Sequence, residues 1–484
     1  MTAAEVIAAF TPLGADIILL VGALSIILAD LILPEKDRVM LAWGSLFVLL
    51  ASFASTFLLD LSGVAWGGVY ETDGATILIK QIVLFCGVIG VLASIHPVQK
   101  QFPHRQTEYH ALLLFSVLGA SLLAGAKDIV FLAVAFELMG VPLYVLSAYD
   151  RHKATAVEGA LKLVLSGTIS AAVLGFGLSI LVGMAGSTTI EVVAAYVTAN
   201  PSPIILLGGS LAFAGVGFKL GVFPFHQWVP DTYQGTTIPV VAYLSVAPKI
   251  GGIAALTRVL LPHDVALLSG VQPVIFGIAA ATIIIGNMLA LNQTSVRRLL
   301  AYSGVGHMGF ALIALGTGTV EGITSLLFYL VAYTVTNLGA FLVVGAVEQG
   351  NGDATLTDFQ GLDRRNSGLA AAMLVFLLSL AGIPFVIGFW GKLAIFIAAW
   401  GAGQIGLVIL GALMSVVGLF YYMRIGRSIY MSEPTESAPI HVPTTVWVAI
   451  GITLLLVVVL GLYPAPIYAL SQDAALALLA LTAV

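Results

Sequence analysis

The sequence has very little charge and a single cysteine. Charged residues make up 9% of the 484 residues, against roughly 25% in a soluble domain. Cys86 is the only cysteine, which excludes an internal disulfide, a CxxC redox pair and cysteine-ligated iron–sulfur clusters within this chain. No glycine-rich phosphate loop follows a strand-like run, so we find no nucleotide or flavin site.

The few charged residues that are present also limit the possible partners of the protein. The net charge is only -5 and the basic residues form no cluster or stripe, which argues against nucleic acid as a partner. The first residues carry Glu5 and no basic stretch, so they are not typical of a cleavable signal peptide. Hydrophobic residues, by contrast, make up 60% of the chain, with a mean hydropathy of +1.07. The composition predicts an all-α, multi-pass membrane protein whose surroundings are the lipid bilayer.

The apolar runs predict about fourteen transmembrane helices. A bilayer core needs roughly 20 apolar residues per helix. Applied along the chain, this length gives segments 1 to 14 at 14–33, 39–60, 76–95, 110–126, 129–149, 156–183, 204–227, 237–261, 271–291, 299–316, 322–347, 368–400, 404–430 and 444–465. The stretch 189–198 is too short to span and is predicted to be a surface helix.

Basic residues in the loops predict the orientation, because cytoplasmic loops hold most Lys and Arg. The loops after odd-numbered segments hold twelve: Lys36, Arg38, Lys100, Arg105, Arg151, Lys153, Arg297, Arg298, Arg364, Arg365, Arg424 and Arg427. The loops after even-numbered segments hold only Lys127 and Arg258. This alternation places both termini on the outer side of the membrane.

Prolines predict that two segments are interrupted. Pro224 lies in the second half of segment 7, and Pro384 lies in the middle of segment 12; proline removes a backbone donor and clashes with the preceding turn. Broken helices at matching positions of two halves are typical of transporters built from inverted repeats. We therefore predict one membrane domain over 1–484, with two inverted five-helix repeats formed by segments 4–8 and 9–13. Its parts are three N-terminal helices (1–105), a first repeat (106–262), a second repeat (263–430) and a C-terminal helix (431–484). The alternative to inverted repeats is that the two prolines only kink their helices and so aid helix packing.

Five lysines lie within the apolar segments, whereas the arginines lie at or beyond segment ends. The lysines are Lys80, Lys162, Lys219, Lys249 and Lys392. A buried lysine can lose its proton near neutral pH, while arginine effectively cannot. Titratable charges inside a membrane protein indicate proton or ion transport.

Glu137 and Lys219 form a predicted charge pair. Glu137 lies near the middle of segment 5 with no basic residue within ten positions, and Lys219 lies five residues before Pro224 in segment 7. A lone carboxylate in the membrane is costly unless it is neutral or paired across helices. Such a pair acts as a proton switch if its separation changes; a static ion pair that fixes two helices is the alternative.

Three further groups extend the candidate site. Lys249 follows Pro248 in segment 8 and precedes two glycines, which favours access to internal water. His307 in segment 10 has an unperturbed pKa of about 6.5 and can relay a proton through either ring nitrogen. Lys392 lies eight residues after Pro384, where the broken segment 12 is expected to be hydrated. Considered alone, a histidine such as His307 would more often be a buried structural residue with satisfied hydrogen bonds than a proton relay.

The remaining charges have more open interpretations. Glu158 and Lys162 are four residues apart on segment 6, a spacing that suits a salt bridge as well as a relay. Lys80 lies near the start of segment 3 and is expected to extend to the headgroups. His226 and Asp231 cluster at the end of segment 7, where they could cap its exit, but no third donor completes a metal site.

Four motifs carry a resemblance to a known family. FKLGVFPFHQWVPDTYQG, PVVAYLSVAPKIGG, RRLLAYSGVGHMGF and GFWGKLAIF resemble the antiporter-like proton-pumping subunits of respiratory complex I. Their order and spacing are most similar to subunit N, from about segment 3 to segment 13. A lysine in GFWGK is typical of subunit N, since the related subunit M has a glutamate there.

The resemblance implies a function and partners. Glu137 and Lys219 would be the charge pair, Lys249 and His307 would lie on the central axis, and Lys392 would serve the far half-channel. The chain would be a translocase subunit of an NADH:quinone oxidoreductase in a bacterial inner membrane, beside another antiporter-like subunit and small membrane subunits. No cofactor is expected in the chain, and quinone, flavin and iron–sulfur clusters are expected in partner subunits.

Two departures from the family pattern concern local geometry. Pro384 is followed by Phe385 rather than by a second proline, which predicts a less pronounced break in segment 12. Thr236 and Thr237 precede Ile238 at the start of segment 8, where relatives have small residues or proline.

Two other functions stay open: a stand-alone cation/proton antiporter, and a passive assembly subunit whose charges only hold helices together.

Overall fold

The computed structural model describes residues 9–261, 266–348, 353–434 and 438–480, which are mostly helical. Long apolar helices, most of them with a polar residue or proline at their first turn, fill the described part of the chain. The all-α membrane fold predicted from composition is confirmed.

The N-terminal unit contains three long helices and one small hairpin. These are α1 (Gly14–Asp30), α2 (Val39–Leu58) and α3 (Gly74–Gln101), with strands β1 (Gly63–Ala65) and β2 (Tyr70–Thr72) between α2 and α3. The strands pair antiparallel, with Val64 opposite Glu71. The Asp73 side chain caps α3 by accepting a hydrogen bond from the Thr76 backbone at 2.6 Å. The hairpin was not predicted from the sequence.

The middle of the chain forms the first series of helices. These are α4 (Gln106–Leu123), α5 (Ile129–Ser147), α6 (Ala154–Ala185), α7 (Ile190–Ala199), α8 (Pro203–Leu220), α9 (Trp228–Gly235), α10 (Ile238–Leu244) and α11 (Ala247–Leu260). Helix α7 has ten residues, as predicted for a helix too short to span.

The second series begins at residue 266. It contains α12 (Ala266–Leu291), α13 (Val296–Thr317), α14 (Val320–Glu348), α15 (Leu362–Arg365), α16 (Ser367–Ala381), α17 (Ile387–Gly401) and α18 (Ile405–Met431). Two C-terminal helices follow, α19 (Thr444–Leu462) and α20 (Ala465–Ala480). Helix α20, which packs against α3 and α14, was not predicted.

Three segments are broken, one more than predicted. Segment 7 stops at Leu220 and resumes at Trp228, and segment 12 stops at Ala381 and resumes at Ile387, so both proline-based predictions are confirmed. The break in segment 12 is complete, and the expectation that Phe385 would weaken it is wrong: Phe385 itself adopts a left-handed conformation with φ of 76°. Segment 8 is also interrupted, between α10 and α11.

Twelve helices among the described residues are long and apolar enough to cross a membrane. The predicted count of fourteen is not confirmed, because α4 and the divided segment 12 are not among the twelve. Burial differs sharply between helices. Helices α10, α11, α13 and α14 are buried almost throughout, whereas α6 and α18 are mostly exposed on the outside. The candidate residues on α11 and α13 therefore lie at the centre of the molecule.

Candidate functional site

Lys219 lies in the last turn of α8, at the break in segment 7. Gly221 ends the helix in a left-handed conformation with φ of 66°, which glycine adopts at no steric cost. The buried ammonium donates a hydrogen bond to the Tyr144 hydroxyl at 3.2 Å. It also lies 5.2 Å from the ring centre of Phe136 on α5. A cation at the carboxyl end of a helix is favoured by the helix dipole.

Glu137 is close enough to Lys219 to interact electrostatically, but no ion pair joins them in the described part of the chain. Its charge acts on both Lys219 and Tyr144, and its Oε1 is buried without a hydrogen-bond partner. The Lys219 ammonium occupies the space beside Gly140, one turn further along α5, where any Cβ would collide with it. The two predicted partners therefore lie near each other without forming an ion pair in the described structure.

Lys249 is the third residue of α11, just after the break in segment 8. Pro248 lies at the start of α11, where its missing N–H costs nothing. The Lys249 ammonium donates to the Gly304 carbonyl and to the Tyr333 hydroxyl, each at 3.2 Å. Tyr333 in turn donates to the Ser245 carbonyl at 3.1 Å. Every hydrogen-bond partner of this buried ammonium in the described structure is neutral.

His307 on α13 is bonded at both ring nitrogens. Its Nδ1 lies 2.5 Å from the Tyr329 hydroxyl and its Nε2 lies 3.1 Å from the Tyr422 hydroxyl. Tyr422 also contacts the Ser303 hydroxyl at 2.5 Å, and the ring centre of Tyr333 lies 5.3 Å from that of His307. A histidine bonded to hydroxyls on both sides can pass a proton by changing tautomer.

Lys392 on α17 caps the broken end of α16. Its ammonium donates to the carbonyls of Leu380 and Ala381, at 2.8 Å and 3.1 Å. Gly382, with φ of 85°, ends α16, and the ring centre of Phe310 lies 5.3 Å from the ammonium. The last carbonyls of a helix have no partner within it, so the break itself supplies the acceptors for this lysine.

A small cavity connects His307 and Lys392. Its polar lining includes Asn287, Ser303, Ser415, Tyr421 and Tyr422. His307 also interacts electrostatically with both Lys392 and Lys249. Lys249, His307 and Lys392 therefore form one electrostatically coupled group, whereas no hydrogen bond joins Lys219 to Lys249 among the described residues.

Glu158 and Lys162 lie apart from this group. Lys162 contacts Glu158 at 2.6 Å and Asp231 at 2.7 Å, and Asp231 also contacts Arg298 at 2.5 Å. The Lys162 side chain is 43% exposed, unlike the other candidate lysines. The predicted Glu158–Lys162 salt bridge is present within α6. The contacts of Asp231 with Lys162 and Arg298 tie α6 to α9 and α13.

His226 and Asp231 do not form a joint site. Asp231 faces Lys162 and Arg298, whereas His226 is buried beside the Phe223 ring, and its Nδ1 has no hydrogen-bond partner. Over the described ranges, no group of three or more His, Cys, Asp or Glu side chains is placed to hold a metal ion.

Lys80 does not extend to the headgroups as expected. Its side chain is fully buried and pairs with Asp16 on α1 at 2.6 Å. Asp16 also accepts a hydrogen bond from Ser121 at 2.5 Å. The expectation failed because Asp16 lies 64 positions away in the sequence, so that no local pattern marks it as the partner.

Sequence reasoning missed the tyrosines that bind the candidate groups. Tyr144 contacts Lys219, Tyr333 contacts Lys249, and Tyr329 and Tyr422 contact His307. Tyr329 and Tyr333 are four residues apart in α14, which places them on one helix face. Two hydroxyls on one face of an apolar helix were a detectable signal.

Comparisons with known proteins place this arrangement in a family. A family profile described as "NADH:quinone oxidoreductase/Mrp antiporter, TM" matches residues 126–418, more than half of the chain. NADH-quinone oxidoreductase subunit N of Moorella thermoacetica is 36% identical over 447 residues, covering 92% of this chain and 94% of that protein. The chain belongs to the subunit N family.

Solved structures agree with membership of the subunit N family. A chain of respiratory complex I from Thermus thermophilus with bound aureothin has a TM-score of 0.81 at 30% identity, covering 94% of this chain and 98% of that one. A chain of the Mrp complex from Dietzia sp. has a TM-score of 0.86 at 21% identity, covering 97% of each, which is a likeness of fold alone. The resemblance predicted from the four motifs is confirmed.

Proposed function

We propose that this chain translocates protons across the membrane as the subunit N of an NADH:quinone oxidoreductase. The observation that carries the proposal is the coupled group of Lys249, His307 and Lys392, whose hydrogen-bond partners in the described structure are hydroxyls and carbonyls. Buried cations without a carboxylate in contact can release a proton at modest cost. A static structural role would favour closed ion pairs instead.

The proton path that follows begins at Lys219. When Glu137 approaches, the Lys219 ammonium is stabilised; when Glu137 withdraws, desolvation favours release of the proton. Lys249 receives it, His307 relays it between its two tyrosine partners, and Lys392 passes it to the far side. The step from Lys219 to Lys249 needs water or a side-chain movement, because no hydrogen bond joins the two residues in the described structure.

The driving energy arrives from neighbouring subunits. Quinone, flavin and iron–sulfur clusters are expected in those partners, and no cofactor is assigned to this chain. A change of charge or hydration passed through the membrane would open or close the Glu137–Lys219 gap. In a bacterial inner membrane with both termini outside, as the loop charges predict, protons would be taken up from the cytoplasm.

Lys249→Ala tests this function. Lys249 contacts no carboxylate in the described structure, so its removal leaves no counter-charge unpaired. In membrane vesicles that contain the assembled complex, we expect proton uptake driven by quinone reduction to be lost. The exposed Lys100→Ala is the matched control and should pump normally. Normal pumping by Lys249→Ala would overturn the proposal.

The alternative is a stand-alone cation/proton antiporter, which the fold of the Dietzia Mrp chain supports. An antiporter would exchange Na⁺ for protons across vesicles without any electron donor. Exchange that proceeds without quinone reduction would favour the antiporter over the complex I subunit.

A further inference from the structure

Arg258 is a buried arginine near the end of the membrane-embedded part of α11. Its side chain is 5% exposed, although the sequence placed it among the loop residues. It lies in the last turn of α11, on the same short helix as Lys249. Nine residues separate the two, which is about 13 Å along a helix. In the orientation predicted above, Arg258 is on the outer side of Lys249.

All three guanidinium nitrogens of Arg258 are occupied. Its Nε donates to the Ala124 carbonyl at 2.7 Å. The two terminal nitrogens donate to the two Asp73 carboxylate oxygens, at 2.8 Å and 3.0 Å. One of them also donates to the Thr76 hydroxyl at 2.6 Å. These contacts join the end of α11 to the start of α3 and the end of α4.

We propose that Arg258 seals the outer end of the first repeat, so that a proton held on Lys249 moves sideways to His307 instead of leaking outward. A guanidinium has no acceptor and does not release its proton in proteins. A chain of proton transfers cannot pass through such a group. This inference rests on the proposed role of Lys249 in proton translocation.

The side chains around Arg258 strengthen the seal. Thr76 and Lys80 are four residues apart on α3, so they share one face. Thr76 is bonded to Arg258, and Lys80 is paired with Asp16. Both of these side chains on the face of α3 that meets the guanidinium are therefore held by a partner. The surroundings of Lys392 differ, because there a cavity with polar walls adjoins the ammonium.

The experiment measures the passive decay of an imposed pH gradient in proteoliposomes that contain the intact complex, without an electron donor. Arg258→Gln should lose the gradient faster than wild type. Arg364→Gln is the control, because it removes an exposed arginine from a surface ion pair; it should match wild type. An Arg258→Gln complex that assembles and holds the gradient as wild type does would overturn the seal.

Two more variants separate a leak from general damage. The double variant Arg258→Gln, Lys249→Ala should regain the slow decay, since the leak needs Lys249 as its proton donor; equal leakage would show a disrupted structure and overturn the proposal. If Arg258→Gln fails to assemble, Arg258→Lys is used. It keeps a cation for Asp73 but leaves donors missing for Ala124 and Thr76, so we expect faster decay, and a tight Arg258→Lys complex would also overturn the seal. Normal pumping by Lys249→Ala alone would instead refute the proposed function.

Discussion

Lys219 donates its hydrogen bond to the hydroxyl of Tyr144, at 3.2 Å, and not to a carboxylate. Glu137 lies about two turns before Tyr144 on the same helix, and its Oε1 is buried without a hydrogen-bond partner. The carboxylate is thus poised beside the ammonium without contacting it. The proposed switch requires an open form of this kind, in which no ion pair joins the two groups.

Closing this gap would supply energy on the scale that proton pumping needs. Two unit charges 4 Å apart interact by about 4 kcal/mol at an effective dielectric near 20. A change of that size alters a proton equilibrium by about a thousandfold.

Gly140 gives the Lys219 ammonium its position, and Gly140→Ala is expected to disturb it. A Cβ at Gly140 would collide with Lys219 Nζ, and such overpacking costs roughly 1–3 kcal/mol. If this cost raises the free energy of the arrangement that transfers the proton, the rate of proton-coupled quinone reduction drops by about tenfold or more. Gly175→Ala on α6 is the control, since a Cβ there meets nothing within 4 Å. Equal rates for the two variants in membrane vesicles would contradict the placement of the ammonium.

Lys392 has a structural contact and a proposed chemical role, and Lys392→Arg separates them. Arginine can still donate to the carbonyls of Leu380 and Ala381, but it cannot release a proton. We therefore expect the complex to assemble with Lys392→Arg while proton uptake is lost. Lys392→Met should lose the cap as well, and with it some stability, measured as a lower dissociation temperature. Pumping that survives in Lys392→Arg would limit this residue to capping α16.

The Asp73–Arg258 pair predicts an acid-dependent contribution to stability. Burial alone would raise the pKa of Asp73, but the Arg258 charge and hydrogen bonds from Arg258 and Thr76 outweigh it and hold the pKa below its ordinary 3.8. A carboxylate with a lowered pKa stabilises the folded state above pH 3.8, and this stability is lost as the pH falls through the folded value. Asp73 is outside the spanning helices, at the cap of α3.

Asp73→Asn is expected to lower stability at pH 7 by about 3 kcal/mol or more, because it leaves a buried arginine without its counter-charge. The difference in dissociation temperature between wild type and Asp73→Asn should narrow as the pH falls below 3.8. The exposed Asp60→Asn is the control and should show a small difference throughout. A difference for Asp73→Asn that stays constant down to pH 3 would exclude this linkage.

Local rules predicted some of the breaks and missed another. Pro224 and Pro384 lie inside apolar runs, where proline cannot continue a helix, so both breaks were readable from the sequence. The break before Lys249 was missed because Pro248 lies at the start of the new helix, a position that tolerates proline. The hairpin and α20 are short or weakly marked elements whose place is set by packing against α3 and other helices.

The candidate charges were predictable one by one, but their partners were not. Lysine, glutamate and histidine inside apolar segments stand out because such residues are costly in a membrane. Their contacts depend on which helices meet: Asp16 pairs with Lys80, and Tyr422 bonds to His307 from 115 positions away. Helix packing decides these pairs, and a single sequence does not reveal it.

The most direct test of the central claim is a simultaneous measurement of donor-to-quinone electron transfer and proton uptake in membrane vesicles that carry Lys219→Ala, after assembly of the complex is confirmed. The account predicts that both rates collapse together, because Lys219 loads the proton path to which electron transfer is coupled. If both rates stay at the wild-type level, Lys219 has at most a structural role, and the proposed proton path is wrong at its first step.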